Sequence, residues 1–171
     1  MLRVLLTLLA CAAFAVPAFA QGESTRPAST SDVGPWEAVV WTRGKIVVRC
    51  TMSRARNAPD GLSYGFLIDR EGILLGVANK SFAFTSEAAL SATLSPQVGA
   101  AQKVTARPVS NVRANLELTP AVLEQLQRSD HTDVVIGGRA KVRLPLDDFN
   151  AARVVLEVCV QKIGKPHEGG G

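Results

Sequence analysis

The sequence predicts a single β-rich domain of the α+β class. We expect an antiparallel β-sandwich or barrel-like sheet with two helices, and a disulfide that docks the C-terminal helix on the sheet. Three observations predict this fold. Most of the chain consists of short runs in which apolar and polar residues alternate, with turn residues between them. Two later segments repeat apolar residues at helical spacing. Two cysteines, Cys50 and Cys159, fall on the apolar faces of a strand and a helix.

The strand signals fill most of the chain before residue 119. The clearest run is Lys45–Ser53, where Ile46, Val48, Cys50 and Met52 alternate with more polar positions, so that Cys50 is expected on the apolar face. The full set of predicted strands is Trp36–Thr42, Lys45–Ser53, Leu62–Asp69, Ile73–Ala78, Val104–Pro108, Arg113–Leu118, Thr132–Ile136 and Arg139–Leu146, with a short one at Ser81–Thr85. The stretch Ser86–Ala101 is ambiguous between a helical turn at Glu87–Leu90 and a strand at Ala92–Val98.

Two helices follow from capping signals and from periodicity. Thr119 is a suitable N-cap, and Pro120 occupies the first turn, where a missing N–H costs nothing. The second helix is predicted to begin near Asp147, because acidic residues favour the positive end of the helix dipole. Its apolar positions form one stripe, and Cys159 belongs to it: Phe149, Ala152, Leu156, Cys159 and Ile163.

The N-terminal segment is typical of a secretory signal peptide. A basic residue precedes an apolar run, and Ala18-Phe19-Ala20 provides a small-x-small cleavage site, so residues 1–20 are predicted to be removed. An alternative is lipidation at Cys11, which would hold the protein on a membrane. The remaining chain is predicted to contain a flexible linker at 21–35, one globular domain at 36–163 and a flexible tail at 164–171.

The cysteines and the leader together indicate where the protein works. The leader has a bacterial character, which predicts a periplasmic or secreted protein. After residue 20 only Cys50 and Cys159 remain. Disulfides persist in oxidising compartments, so we expect these two cysteines to be bonded rather than to be free buried thiols.

Composition excludes several classes of function. The formal net charge of +4 is too small to indicate nucleic-acid binding. After the leader, no apolar stretch approaches the roughly 20 residues that a membrane-spanning helix needs. The two histidines, His131 and His167, lie far apart in the chain, so we expect no metal site and no cofactor. No motif for a catalytic nucleophile is present, and we assign no catalytic residues.

One predicted strand carries a basic face. Arg139, Lys141 and Arg143 alternate with Ala140, Val142 and Leu144, so the three cations are expected on one side. Three further cations join this candidate surface if the strands are neighbours: Arg49, Arg54 and Arg56. Such a surface suits an acidic protein or an anionic component of the cell envelope. The alternative interpretation is an ordinary solvated outer face of an antiparallel sheet.

The two tryptophans are candidates for an aromatic contact surface. Trp36 and Trp41 are separated by an odd number of residues on one predicted strand, so they are expected to face opposite sides. One of them should belong to the core, and the other is then available to a ligand or partner.

The layout of these elements resembles exported alphaproteobacterial proteins similar to the invasion-associated locus B family. The resemblance rests on the leader, the strand that begins at Trp36, the cysteine on the next strand, and the strand Val142-Arg143-Leu144-Pro145-Leu146 that leads into the last helix. It implies a compact β-sandwich or barrel-like domain with a docked helix. It carries over no catalytic residue.

The sequence therefore predicts a non-enzymatic binding or interaction module. An alternative is an envelope-directed hydrolase that acts through turn carboxylates, for which Asp60, Asp69 and Glu71 are the candidates. A further alternative is an inhibitor of an envelope or host hydrolase, with Arg54–Gly61 as the inhibitory loop.

Overall fold

The computed structural model describes residues 24–54 and 61–167, and these residues form one continuous antiparallel sheet with two helices. The sheet has ten strands in the spatial order 1-2-3-4-5-8-7-6-9-10, and it does not close into a barrel. The strands are β1 Thr25–Val33, β2 Trp36–Arg43, β3 Ile46–Arg54, β4 Ser63–Asp69, β5 Ile73–Ala78, β6 Leu90–Pro96, β7 Gln102–Ser110, β8 Arg113–Leu118, β9 His131–Ile136 and β10 Ala140–Pro145. The helices are α1 Pro120–Leu126 and α2 Phe149–Val160.

The predicted β-rich α+β fold is confirmed. Consecutive strands pair as antiparallel neighbours, except at two connections, β5 to β6 and β8 to β9, where the chain crosses to another part of the sheet. β5 pairs with β8 instead of β6, because the segment 79–89 carries the chain across the sheet. Helix α1 then carries it from β8 to β9, which pairs with β6. These two crossovers place the segment 79–89 beside the β9–β10 hairpin, and the candidate site lies there.

Part of the hydrophobic core lies between α2 and the sheet. Three aromatic side chains meet at its centre: Trp36 of β2, Phe66 of β4 and Phe149 of α2. The ring centroids of Phe66 and Phe149 are 4.8 Å apart, and those of Trp36 and Phe149 are 5.4 Å apart. All three side chains are almost fully buried. Burial of large aromatic surfaces is a main source of stability in a domain of this size.

The predicted disulfide is confirmed and joins α2 to the sheet. Cys50 of β3 and Cys159 of α2 are bonded, with Cα atoms 6.1 Å apart and a sequence separation of 109. Both are buried. The predicted apolar stripe of α2 faces the sheet as expected, since Phe149, Ala152 and Leu156 are buried with Cys159. Asp148 is the N-cap, but its side chain makes no capping hydrogen bond.

The apolar face predicted for β3 is wrong at its start. Val47 is buried while Ile46 is 40% exposed. The reason is a register shift between β2 and β3: Trp41 pairs with Arg49, but Thr42 pairs with Val47. Val48 is thus an extra residue, and such a bulge turns the preceding side chains to the other face. Strict alternation holds only from Cys50 onwards.

The segment predicted as a flexible linker contains a strand. β1 pairs along its whole length with β2, and nearly all of its side chains are exposed. This edge strand is held by main-chain hydrogen bonds, so its sequence needs no apolar periodicity. Pro27 lies at a register shift, as expected for proline in an edge strand.

Part of the predicted tail also pairs with the sheet. The amide of Gly164 donates to the oxygen of Val47 at 2.8 Å, and the amide of Val47 donates to the oxygen of Lys165 at 3.0 Å. Pro166 forms an isolated bridge with Ile46. The chain therefore leaves α2 and returns along β3. Among the described residues, neither helix is long and apolar enough to cross a membrane.

Candidate functional site

A cavity of about 460 Å³ lies between the segment 81–86 and the hairpin that joins β9 to β10. Its volume is within the range of small-molecule sites, which is about 300–1,000 Å³. We call this cavity the Arg139 cleft, because Arg139 is the cationic residue that lines it. The sequence predicted Arg139 as a site residue but gave no cavity to accompany it.

The inner wall of the Arg139 cleft is apolar. Phe82 is buried, Phe84 is half-buried, and their ring centroids are 5.2 Å apart with the planes inclined at 55°. Leu90 of β6 and Ile136 of β9 complete this wall, and both belong to the core or pack against it. An apolar group that enters the cleft therefore contacts the edge of the hydrophobic core.

The segment that carries the two phenylalanines is fixed by Asn79. Its buried side-chain oxygen accepts hydrogen bonds from the amide of Ser81 at 2.8 Å and from the Ser81 hydroxyl at 2.7 Å. Its main chain donates to Val112 and accepts from Phe82. The amide of Phe84 donates to the oxygen of Asn111 at 2.9 Å. The wall is thus held to the β7–β8 turn before any ligand arrives, which reduces the entropy lost on binding.

The mouth of the cleft is formed by the β9–β10 turn. Gly137 and Gly138 both have positive φ, at 58° and 72°, which suits a two-residue hairpin turn. A Cβ atom on Gly137 would lie 3.6 Å from Leu90, whereas one on Gly138 would meet nothing within 4 Å. Arg139 follows this turn, and its amide donates to the oxygen of Ile136 at 3.2 Å. Its side chain is exposed and makes no ion pair with any described residue.

The other two cations of the predicted basic strand differ in their partners. Lys141 is exposed on β10 and has no carboxylate partner among the described residues. Arg143 forms a bidentate ion pair with Asp133 of β9, in which Nε and Nη2 donate to the two carboxylate oxygens at 2.8 and 3.0 Å. This hydrogen-bonded guanidinium holds the pKa of Asp133 below its ordinary value. The charge of Arg143 is therefore largely compensated, while those of Arg139 and Lys141 are not.

The basic residues of β3 lie on a strand that is not a neighbour of β10 in the sheet. β3 is the third strand in the spatial order and β10 is the tenth. Arg49 lies 3.7 Å from a carboxylate oxygen of Asp69 on β4. Arg54 binds Asp147 at 2.7 Å. Arg56 lies outside the described residues. Arg49 and Arg54 are thus each paired with a carboxylate, and Arg54 also donates to the oxygen of Pro145, the last residue of β10, at 3.1 Å.

The tryptophans occupy opposite faces, as the sequence predicted. Trp36 is almost fully buried and belongs to the core. Trp41 is half-buried, and its indole nitrogen donates to the hydroxyl of Thr51 at 2.9 Å. Trp41 is therefore the tryptophan with accessible surface, and it lies on a part of the sheet distant in strand order from the Arg139 cleft.

The candidate carboxylates line a different cavity. Asp69 and Glu71 border a cavity of about 700 Å³ together with Glu117 of β8. Asp69 accepts a hydrogen bond from the amide of Glu71 at 2.8 Å and faces Arg49, while Glu117 binds Arg107 at 2.8 Å. These contacts are those of turn and cross-strand residues. Asp60 and residues 55–60 of the candidate inhibitory loop lie outside the described residues.

Asn79, Phe82 and Phe84 are the site residues that sequence reasoning missed. The sequence predicts a short strand at Ser81–Thr85, whereas the segment is irregular and both rings line the cavity. The available signal was Asn79 two residues before Ser81, because asparagine commonly closes such turns with its own side chain.

In the described part of the chain, no group of three or more His, Cys, Asp or Glu residues is placed to hold a metal ion.

The arrangement pairs one accessible guanidinium with an apolar wall. A guanidinium forms strong, charge-assisted hydrogen bonds with anionic oxygens, and the neighbouring wall favours an apolar group on the same molecule.

Comparison of the chain with protein-family models, with curated proteins and with solved structures finds no match.

Proposed function

We propose that the protein is a non-enzymatic, extracytoplasmic binding module whose ligand site is the Arg139 cleft. The ligand in this proposal has an anionic group that binds Arg139. The periplasmic or secreted location belongs to the same proposal. It is supported by the buried disulfide, which requires an oxidising compartment to persist. The kinship with the locus B proteins remains a prediction.

One observation carries the proposal: an exposed arginine, with no ion-pair partner in residues 24–54 and 61–167, lines a preformed cavity with an apolar wall. Surface arginines are common, and most antiparallel sheets have a polar outer face. Arg139 differs from such residues because a cavity large enough for a small molecule adjoins it. The Asn79 turn and the hydrogen bond from Phe84 to Asn111 fix one wall of that cavity.

Binding is favoured over hydrolysis by the contacts of the acidic residues that line the cavity of about 700 Å³. Asp69 and Glu117 are each engaged by an arginine, and Asp69 also caps the turn at Glu71. A general acid in a glycosidase needs a raised pKa and a second carboxylate facing the same scissile bond. Asp69 and Glu117 are instead bound to arginines on β3 and β7.

The test uses anilinonaphthalene sulfonate, a fluorescent anion with an aromatic body. We expect it to bind the purified mature protein. The affinity should fall about tenfold or more in Arg139→Gln, because one charge-assisted contact is lost. Lys141→Gln is the matched control, since it removes an equally exposed positive charge from the same strand without altering the cleft.

The salt dependence of the affinity and the Lys141→Gln control test whether the probe binds at Arg139. Binding that depends on Arg139 should weaken moderately with added salt, because screening reduces the attraction of an accessible ion pair. Equal affinities in the wild type and in Arg139→Gln would overturn the proposal. Equal losses in the Arg139 and Lys141 variants would also overturn it, since they would indicate a diffuse basic surface. Unfolding temperatures of both variants should match the wild type.

A further inference from the structure

We infer that the Arg139 cleft is specific for aromatic carboxylates: compact ligands with a flat ring system and a single negative charge. This inference rests on the proposed function and specifies the ligand of the same site. Three features of the cleft support it, namely the single cation at its mouth, the ring pair on its wall, and the apolar side chains of Leu90 and Ile136.

The single cation selects a monoanion. Arg139 is the charged side chain that lines the cleft, and its guanidinium presents a planar fork that matches the two oxygens of a carboxylate. Lys141 lies on β10 but is not part of the lining. A dianionic phosphate would leave one charge without a partner beside an apolar wall, which is unfavourable.

Two of the hydroxyl groups on the rim are engaged within the protein. The Ser81 hydroxyl donates to Asn79, and the Ser86 hydroxyl accepts from the amide of Ala88 at 3.0 Å. Arg139 is the charged group of the lining and therefore provides the strongest contact for an anion.

The wall favours a ring over a flexible chain. Phe84 is half-buried and is stacked at a tilt against the buried Phe82, so its accessible part adjoins the cavity. Aromatic rings gain free energy beyond simple burial when they pack edge-to-face or offset against another ring. Leu90 and Ile136 close the inner side. A rigid ring also loses less conformational entropy on binding than an acyl chain of similar size.

The experiment compares three probes of similar size by calorimetry: naphthoate, the neutral naphthalene methanol, and the aliphatic decanoate. We expect naphthoate to bind about tenfold more tightly than the neutral alcohol, because only naphthoate pairs with Arg139. We also expect naphthoate to bind several-fold more tightly than decanoate. Arg139→Gln should abolish the first difference.

Substitutions at Phe84 test the ring contact separately. Phe84→Leu should remove the preference for naphthoate over decanoate, and Phe84→Tyr should retain it because the ring is kept. The affinity for decanoate reports whether the cleft of each variant is still formed.

The possible failures are distinguishable. If decanoate binds the wild type as tightly as naphthoate, and Arg139→Gln weakens both, the inference about the ring is wrong and the proposed function stands. If Phe84→Leu leaves the preference for naphthoate unchanged, the inference is likewise wrong. If Arg139→Gln changes the affinity for none of the three probes, the proposed function and the inference both fail.

Discussion

The indole nitrogen of Trp36 donates a 2.7 Å hydrogen bond to the main-chain oxygen of Asp147, 111 residues later in the chain. Two further side chains bind the same connection between β10 and α2. The hydroxyl of Tyr64 and the guanidinium of Arg54 both donate to the oxygen of Pro145, and Arg54 also pairs with the Asp147 carboxylate. Residues of β2, β3 and β4 thus hold the segment that starts the closing helix.

Because Trp36 donates this hydrogen bond, the variant Trp36→Phe should be measurably less stable. The phenylalanine keeps an aromatic ring near Phe66 and Phe149 but removes the donor and part of the core volume. We expect the free energy of unfolding to fall by about 2–3 kcal/mol in denaturant titrations. The matched control is Trp41→Phe, which also removes an indole donor but lies half-buried on the other face. That variant should lose less than about 1 kcal/mol, and equal losses in the two would contradict the assignment of Trp36 to the core.

The disulfide predicts a strong dependence of stability on redox state. Cys50 and Cys159 close a loop across a sequence separation of 109, and in the chain-entropy model such a cross-link stabilises the folded state by about 4–5 kcal/mol. Replacing both cysteines with alanine should therefore lower the unfolding temperature substantially, to that of the reduced wild type. Added reductant should leave the double variant unchanged. Identical unfolding temperatures of the wild type with and without reductant would refute this role of the bond.

The titration of Tyr64 predicts a loss of stability at high pH. Burial raises the pKa of Tyr64 from its ordinary value of 10.0 to about 12, with the charge of Arg54 opposing the shift. The unfolded chain releases this proton at lower pH, so the folded state holds more protons between the two values. The contribution to stability is complete below about pH 10 and is lost as the pH rises through about 12.

The size of this effect is about 1–2 kcal/mol, after allowance for partial screening by solvent. Tyr64 is the single tyrosine of the chain, so its tyrosinate absorbance follows the titration directly. Tyr64→Phe should make the free energy of unfolding less dependent on pH over this interval. A tyrosinate transition near pH 10 in the folded protein would disprove the shift.

The sequence was sufficient for features that depend on local patterns. Helical periodicity places Cys159 on the buried face of α2, and the alternation at Cys50 and Met52 places the other cysteine inward. Thr119 caps α1 through a hydrogen bond from the amide of Val122 at 3.3 Å. Each of these results follows from residues within a few positions of one another.

The sequence was insufficient where distant segments meet. The bulge at Val48 depends on the pairing of β3 with β2, and β1 is held by main-chain bonds that leave no side-chain pattern. The neighbourhood of Arg139 depends on two crossovers that bring the segment 81–86 to the β9–β10 turn. For this reason the sequence pointed to a basic strand face, and the structure places one of its residues beside a cavity.

The side chain of Asn79 predicts a local effect on the Arg139 cleft. Asn79→Ala leaves the amide and the hydroxyl of Ser81 without their acceptor, and Asn79 itself is buried. Ser81 is exposed, so water can replace the lost acceptor, and we expect a loss of about 1 kcal/mol and faster hydrogen exchange at the amides of Ser81 and Phe82. Anilinonaphthalene sulfonate should also bind more weakly, because the wall that carries Phe84 is no longer fixed. Asn79→Asp keeps an acceptor oxygen in the same position and should preserve both the exchange pattern and the binding. If Asn79→Ala and Asn79→Asp behave alike, the turn at Asn79 does not organise the cleft.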